Sequence, residues 1–314
     1  IILGGATSGV FAMLHMALLN PGDEICNIEP SHYVLQESLP LPMLQARVTT
    51  VPSDPDNNWE PDLDEMRRKI SKRTKAIGID HPTNPTGVIY SDGILREIID
   101  IAGEHELPVI CDELYLLITY DGHKAKSLAT MAGDVPVVIT GSMSKLFMKP
   151  GWCTGYACFQ DPAGKMKEFE EAVKLISTTP GFGGTRIPTP IMVAAARTYE
   201  GPLDRCFEKV KKLQRNLDFT HKRLNEIEGI SLKVKPQCAF YALFCIDEIG
   251  RKKSRWADDY GFAVDVLWEE GLYFSPGSVY GKSSFGYCRT LLYRDMKVLE
   301  KAYEKLERFM KEKR

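Results

Sequence analysis

The chain has 314 residues, and at one domain per roughly 150 residues that length suggests about two domains, too large for a disulfide-stapled miniature. Hydrophobic residues make up 44% and charged residues 26%, an ordinary globular balance that excludes disordered, collagen-like and coiled-coil chains. Forty Lys plus Arg against 42 Asp plus Glu leave a net charge of −2, which offers no broad positive field for nucleic acid or anionic lipid, so small molecules or other proteins are the expected partners.

Residues 1–19 carry no charge, yet Gly4, Gly5, Thr7, Ser8, Gly9 and His15 interrupt them, no basic leader precedes them, and Pro21-Gly22-Asp23 ends them as a turn would. That composition argues against a signal peptide or a membrane span, and the chain is expected to begin inside a domain. Ile1-Ile2-Leu3 reads as a strand fragment and Gly9–Leu19 as a helix. Short apolar runs at Glu24–Glu29, Ala46–Val51, Thr74–Asp80, Pro108–Asp112, Val135–Thr140 and Gly155–Phe159 then read as strands. Asp62–Ile70, Asp92–His105 and Pro162–Ile176, with apolar residues three and four apart, read as helices between and after them. This alternation is the signature of strand-helix units around a parallel sheet.

A loop is expected at 178–184, followed by a long helical stretch over Pro188–Leu232, broken at 200–202, that could bridge two domains. Beyond it the rhythm changes. Leu232–Val234, Ala239–Ile246, Gly271–Phe274 and Tyr287–Leu292 are strand candidates, and Trp256–Glu270 and Asp295–Lys313 are helices. The expected organisation is a large domain over 1–187, an interdomain helix region over 188–230 and a small α+β domain over 231–314. Basic residues on the last helix are interleaved with acidic ones and read as a solvated face. Eight cysteines at 26, 111, 153, 158, 206, 238, 245 and 288 form no Cys-x-x-Cys pair and have no histidine at zinc-ligand spacing, so they read as reduced thiols of a cytoplasmic protein without a metal site.

Five short sequences fall in one order: Gly4-Gly5-Ala6-Thr7-Ser8-Gly9, Asn84-Pro85-Thr86-Gly87, Asp112-Glu113-Leu114-Tyr115, Ser142-Met143-Ser144-Lys145, and Arg289. Each alone has an ordinary reading. The second is a common turn, Lys145 could be one more surface lysine, and Arg289 could belong to a structural ion pair. Together, the chain resembles the aspartate aminotransferase family, the pyridoxal-phosphate enzymes of fold type I. The resemblance covers essentially the whole chain but lacks the part that such enzymes carry before the first motif. It implies a large domain with a doubly wound, mostly parallel sheet, a smaller C-terminal α+β domain, and a homodimer. The implied activity moves an amino group between an L-amino acid and a 2-oxo acid.

The resemblance also assigns residues. Lys145 takes the place of the lysine that bonds covalently to the cofactor aldehyde and shuttles a proton. Asp112, ending an apolar run, takes that of the buried carboxylate that keeps the pyridine nitrogen protonated. Asn84 and Tyr115 match donors to the cofactor's phenolic oxygen. Ala6, Thr7 and Ser8 at a helix start, with Ser142, match the phosphate contacts. His32 is in register with the aromatic residue that stacks on the ring, and Tyr33 is one step off. Arg289 matches the clamp on the substrate α-carboxylate. Lys174 falls near where aspartate-specific relatives place a cation from the neighbouring subunit. One position departs: an arginine that pairs with the phosphate eight residues after the lysine is replaced by Cys153. A charged hydrogen bond of that kind is worth roughly 1.5–3 kcal/mol, so cofactor retention is what the departure puts in doubt, with Lys149 or Arg186 as candidate substitutes.

Three other readings compete. A lyase eliminating a group from Cβ would use the same lysine, aspartate and clamp. A non-catalytic protein on the same fold would explain Cys153. A nicotinamide dehydrogenase is disfavoured because the Gly4–Gly9 turn lacks Gly-x-Gly-x-x-Gly spacing and no acidic residue closes the following strand.

Overall fold

A computed structural model describes residues 1–32, 40–179, 187–251 and 254–313. Tyr33 and Arg186 lie outside the described residues, as does most of the loop expected at 178–184. The strands predicted over residues 1–160 form, joined by an unpredicted two-residue strand at Glu60–Pro61. β1 (Ile2–Gly5), β2 (Glu24–Glu29), β3 (Arg47–Asp54), β4 (Glu60–Pro61), β5 (Thr74–Asp80), β6 (Val109–Asp112), β7 (Val137–Ser142) and β8 (Thr154–Gln160) make one sheet in the order β1-β8-β7-β6-β5-β2-β3-β4. The pairs β3–β2, β2–β5, β5–β6 and β6–β7 are parallel, while β8, β1 and β4 join antiparallel at the two edges. The central strands are buried along almost their whole length, which is why they read as continuous apolar runs.

Helices cover both faces. On one side α1 (Ala6–Leu18) and α4 (Lys167–Thr178) bury Val10, Phe11, Leu14 and Val173 against Ala76, Ile110 and Val138. On the other, α2 (Leu63–Lys69) and α3 (Asp92–Glu104) bury Met66, Leu95 and Ile98 against Ile77, Ile79 and Val109. Asp62 and Ser91 cap α2 and α3 by accepting the Glu65 and Ile94 N–H groups, and those caps mark where each apolar pattern starts. α1 begins three residues earlier than expected, at Ala6, because the Gly-rich turn passes directly from β1 into the helix.

The stretch predicted as one long helix is two, α5 (Thr189–Glu200) and α6 (Asp204–Asn225), separated at the Gly201-Pro202 break. α6 stops at Asn225, seven residues short of the expected end, where Gly229 (φ 89°) turns the chain into β9 (Ile230–Ser231). β9 thus precedes the strand expected at Leu232–Val234. A second sheet orders β11 (Ser275–Pro276), β12 (Tyr287–Leu291), β10 (Tyr241–Ile246) and β9, all antiparallel. The strand expected at Gly271–Phe274 is absent. Gly271 instead terminates α7 (Asp259–Glu270) in a left-handed conformation, and the pairing falls at Ser275–Pro276. α8 (Met296–Glu312) packs Leu299, Tyr303, Leu306 and Phe309 into the core that this sheet shares with Tyr115, Ile118 and Tyr120 of the large sheet's loops. Among the described residues no helix is long and apolar enough to cross a membrane.

Candidate active site

Four parallel strands deliver the motifs at one edge, where sheets of this kind bind ligands. Pro30–His32 follows β2, His81–Gly87 follows β5, Glu113–Tyr115 follows β6 and Met143–Lys145 follows β7. Asp80, Asp112 and Thr140 stand in one row across β5, β6 and β7, so their side chains share a face. The small sheet closes the site from the other side with Tyr241 and Arg289.

Lys145 is half-buried in the turn after β7. Its Nζ lies 5.9 Å from the Tyr115 ring centroid and 5.6 Å from that of Phe240, and among the described residues it makes no hydrogen bond or ion pair. Asp112 is buried at the end of β6, and Asp112 Oδ1 accepts the Leu114 N–H at 3.2 Å. Burial pushes its carboxyl up to about 7, opposed by the Leu114 N–H, the Lys145 charge and the Thr140 hydroxyl. Lys145 is therefore close enough for Asp112 to feel its charge, yet the two are not in ion-pair contact. A gap separates them.

His32 adjoins that gap. Burial first, then the facing Arg289 and Lys145 charges, push its imidazole down to about 3, so it presents a neutral ring across the physiological range. Its backbone N–H donates to Asp80 Oδ2 at 2.8 Å. Asn84 is buried in a tight turn whose Gly87 adopts φ +72°; a Cβ there would meet the Pro236 side chain at 2.6 Å. Arg289 Nη1 donates to Asn84 Oδ1 at 3.0 Å, which turns the amide NH₂ of Asn84 away from the arginine. The Tyr115 hydroxyl contacts the Tyr241 hydroxyl at 3.4 Å, and burial raises the Tyr115 phenol.

The internal ion pair of the alternative reading of Arg289 is absent among the described residues. Its guanidinium carbon lies instead 4.0 Å from the Tyr241 ring centroid and 4.8 Å from that of Tyr280. Two aromatic faces supply the favourable potential that an acid would have supplied. Phe240, Tyr241 and Tyr280 are site residues that the sequence reading missed, because in sequence they look only like strand and turn aromatics.

At the other end, Ser142 closes β7 opposite Gly155, which pairs with Gly4. A Cβ on Gly155 would come within 2.4 Å of the Ala6 backbone, so only glycine lets β8 approach the start of α1 this closely. Thr7 is buried and Ser8 exposed in the first turn, where N–H groups lack intrahelical acceptors. Ala6 differs from expectation as a donor: its N–H is spent on the Cys153 carbonyl at 2.7 Å, because β8 lies directly alongside. Cys153 is exposed in a left-handed turn. Of the substitutes for the missing arginine, Lys149 stacks on the Trp152 ring at 5.6 Å. Lys174 stands exposed on α4, paired with Glu170 at 2.7 Å.

These residues fit pyridoxal phosphate. Two cations without acidic partners among the described residues, a buried carboxyl out of ion-pair reach of one of them and a Gly-lined helix start are the chemical complement of an aldehyde, a pyridine nitrogen, a substrate carboxylate and a phosphate. Comparison with known proteins agrees. The family profile described as aminotransferase class I and II matches residues 1–306. The chain is 28% identical over 313 residues to an aspartate aminotransferase of Bacillus sp. (strain YM-2), covering 99% of this chain and 76% of that one. It is 27% identical over 323 residues to the glutamate-pyruvate aminotransferase of Escherichia coli (strain K12), covering 99% and 75%. Among solved structures, an alanine aminotransferase from Pyrococcus furiosus superposes with a TM-score of 0.89 at 36% identity, over 99% of this chain and 76% of that one. Fold and site together define a fold type I pyridoxal-phosphate enzyme. The chain belongs to the aminotransferase class I and II family, whose reaction moves an amino group between amino acids and 2-oxo acids.

Proposed function

We propose that this aminotransferase acts on a substrate of the aspartate or alanine type and works as a homodimer in the cytoplasm. The carrying observation is Lys145, an ammonium with no ionic partner among the described residues, set across a gap from buried Asp112 and on the same side as Arg289. Eight free cysteines suit a reducing compartment. Leu175, Val193 and Phe207 are exposed on α4, α5 and α6, apolar surface that a second copy would cover.

Pyridoxal phosphate, when bound, supplies an aldehyde that exchanges its covalent partner for the substrate amine and a ring that accepts the electrons left as the Cα–H bond breaks. The chain supplies the rest. Lys145 Nζ would take the Cα proton as general base, flanked by the Tyr115 and Phe240 rings. Asp112 holds negative charge against the ring nitrogen. His32, neutral, would stack on the ring face. The NH₂ of Asn84 and the Tyr115 hydroxyl donate to the phenolic oxygen, Arg289 fixes the α-carboxylate bidentately, and the Thr7 and Ser8 N–H groups and hydroxyls with Ser142 hold the phosphate.

A scan of amino donors with 2-oxoglutarate as acceptor tests the reading. Aspartate, alanine or glutamate should convert the bound cofactor to pyridoxamine phosphate. With a donor that carries a leaving group on Cβ, such as cysteine, release of that group with pyruvate and ammonia and no pyridoxamine phosphate would assign the elimination reaction instead.

A further inference from the structure

The sheet buries a second carboxyl beside the one the motifs pick out. Asp80 ends β5 exactly opposite Asp112 in the parallel register, and the two are 6% and 7% exposed. Side chains opposed in this way leave the same face, so two carboxyl groups stand side by side with water excluded, and both cannot carry charge at neutral pH. Their surroundings differ. Asp112 has the Leu114 N–H, the Thr140 hydroxyl and the Lys145 charge to favour its ionised form. Among the described residues Asp80 has only the His32 N–H on Oδ2, and its Oδ1 is buried with no hydrogen-bond partner. An unpartnered buried oxygen next to a carboxylate is where a proton satisfies both groups at once.

We propose that Asp80 and Asp112 share one proton with Asp80 as its donor, which makes Asp80 a positioning residue that holds a single, oriented negative charge at the place of the ring nitrogen. This rests on the reading of Asp112 as that nitrogen's partner. Among the described residues, the other titratable groups facing the pair are Glu113, Lys145, Tyr115 and Tyr156 around Asp112, Tyr90 and Cys111 around Asp80, and neutral His32 with Arg289 beyond it. Burial, then the Asp112 charge, raise the Asp80 carboxyl well above the usual range, in the sense the proposal needs. The pair loses its protons in two steps that belong to both groups. Between those steps one charge faces the ring; below them there is none, and above them two charges repel.

Infrared difference spectroscopy tests this on the full chain loaded with pyridoxal phosphate and labelled with ¹³C in its aspartate carboxyls, at pH 8, where Asp112 is ionised. The expected result is an isotope-shifted stretch of a protonated carboxyl that disappears in Asp80→Asn. No such band in the unsubstituted protein, or a band that survives Asp80→Asn, would overturn the shared proton. Should Asp80→Asn fail to fold, titration of the labelled protein decides: the band must persist to pH 8 and vanish in one step at higher pH, and its loss below pH 8 would overturn the proposal. The reading of Asp112 is tested separately by the cofactor affinity of Asp112→Asn. A loss of about tenfold or more supports it, and unchanged affinity overturns both that reading and the role given to Asp80, whatever the band shows.

Discussion

The two ends of the cleft are built by different means. At the nitrogen end, Asp80, Asp112 and Thr140 form a buried row across three parallel strands, and burial dominates their chemistry. At the end proposed for the phosphate the donors sit on the first turn of α1 and the rim of β8, Ser8 and Cys153 are exposed, one backbone donor is already spent on Cys153, and Cys153 stands where the resemblance leads one to expect an arginine. Strand ends that are packed on both faces can desolvate a charge and fix its direction. A helix start at the surface can only offer donors, in competition with water. The chain should therefore be exacting about ring chemistry and tolerant, or weak, in holding the phosphate.

Substitution sharpens that contrast. The largest effect belongs to Lys145→Ala, which removes the general base and should lower kcat by about 10³-fold or more with the fold intact by circular dichroism. Asp112→Asn comes next, at about 10²–10³-fold in kcat. It also has an opposite signature in stability. Because the folded carboxyl is raised to about 7, the proton it retains favours the folded state fully below the unfolded value near 4, and that contribution is lost as pH rises through about 7. Asp112→Asn should then raise the melting temperature of cofactor-free protein at pH 8 and leave it unchanged at pH 4. Arg289→Gln should cost about 10–100-fold in kcat/KM through the lost carboxylate contacts. At the phosphate end, Cys153→Arg should tighten cofactor binding about tenfold without raising kcat; an unchanged dissociation constant would mean that the phosphate end is already complete. Smallest is Tyr241→Leu, which removes one of the two rings flanking Arg289. It should raise KM about two- to fivefold at nearly constant kcat, as a cation–π contact of ~0.5–1 kcal/mol would dictate.

The central strands and helices of the large sheet were legible because burial on both faces makes strands into short apolar runs and capping residues mark helix starts. Glu24–Glu29 and Thr74–Asp80 fall where their sequences place them. The small sheet was less legible. β9 and β11 are two residues long, set by pairing with β10 and β12 rather than by their own composition, so the expected positions were off. In the proposed site, Asp112, Lys145, Asn84 and Arg289 could be singled out from the sequence because each belongs to the ordered set of motifs. Asp80 could not, since its importance comes from standing opposite Asp112, a relation created by register; the available hint was that two successive predicted strands both end in Asp. The Tyr241–Arg289–Tyr280 stack was likewise invisible, because ring faces are brought together by β10 pairing with β12 and by the turn before it. The loss of the Ala6 donor follows from β1 pairing with β8, which sequence spacing does not encode.

The account stands most directly on where the cofactor attaches. Reduction of the loaded protein with borohydride, followed by digestion and mass spectrometry, should place the pyridoxyl phosphate mass on the peptide containing Lys145 in full yield. Attachment to any other lysine, or no covalent attachment, would contradict it.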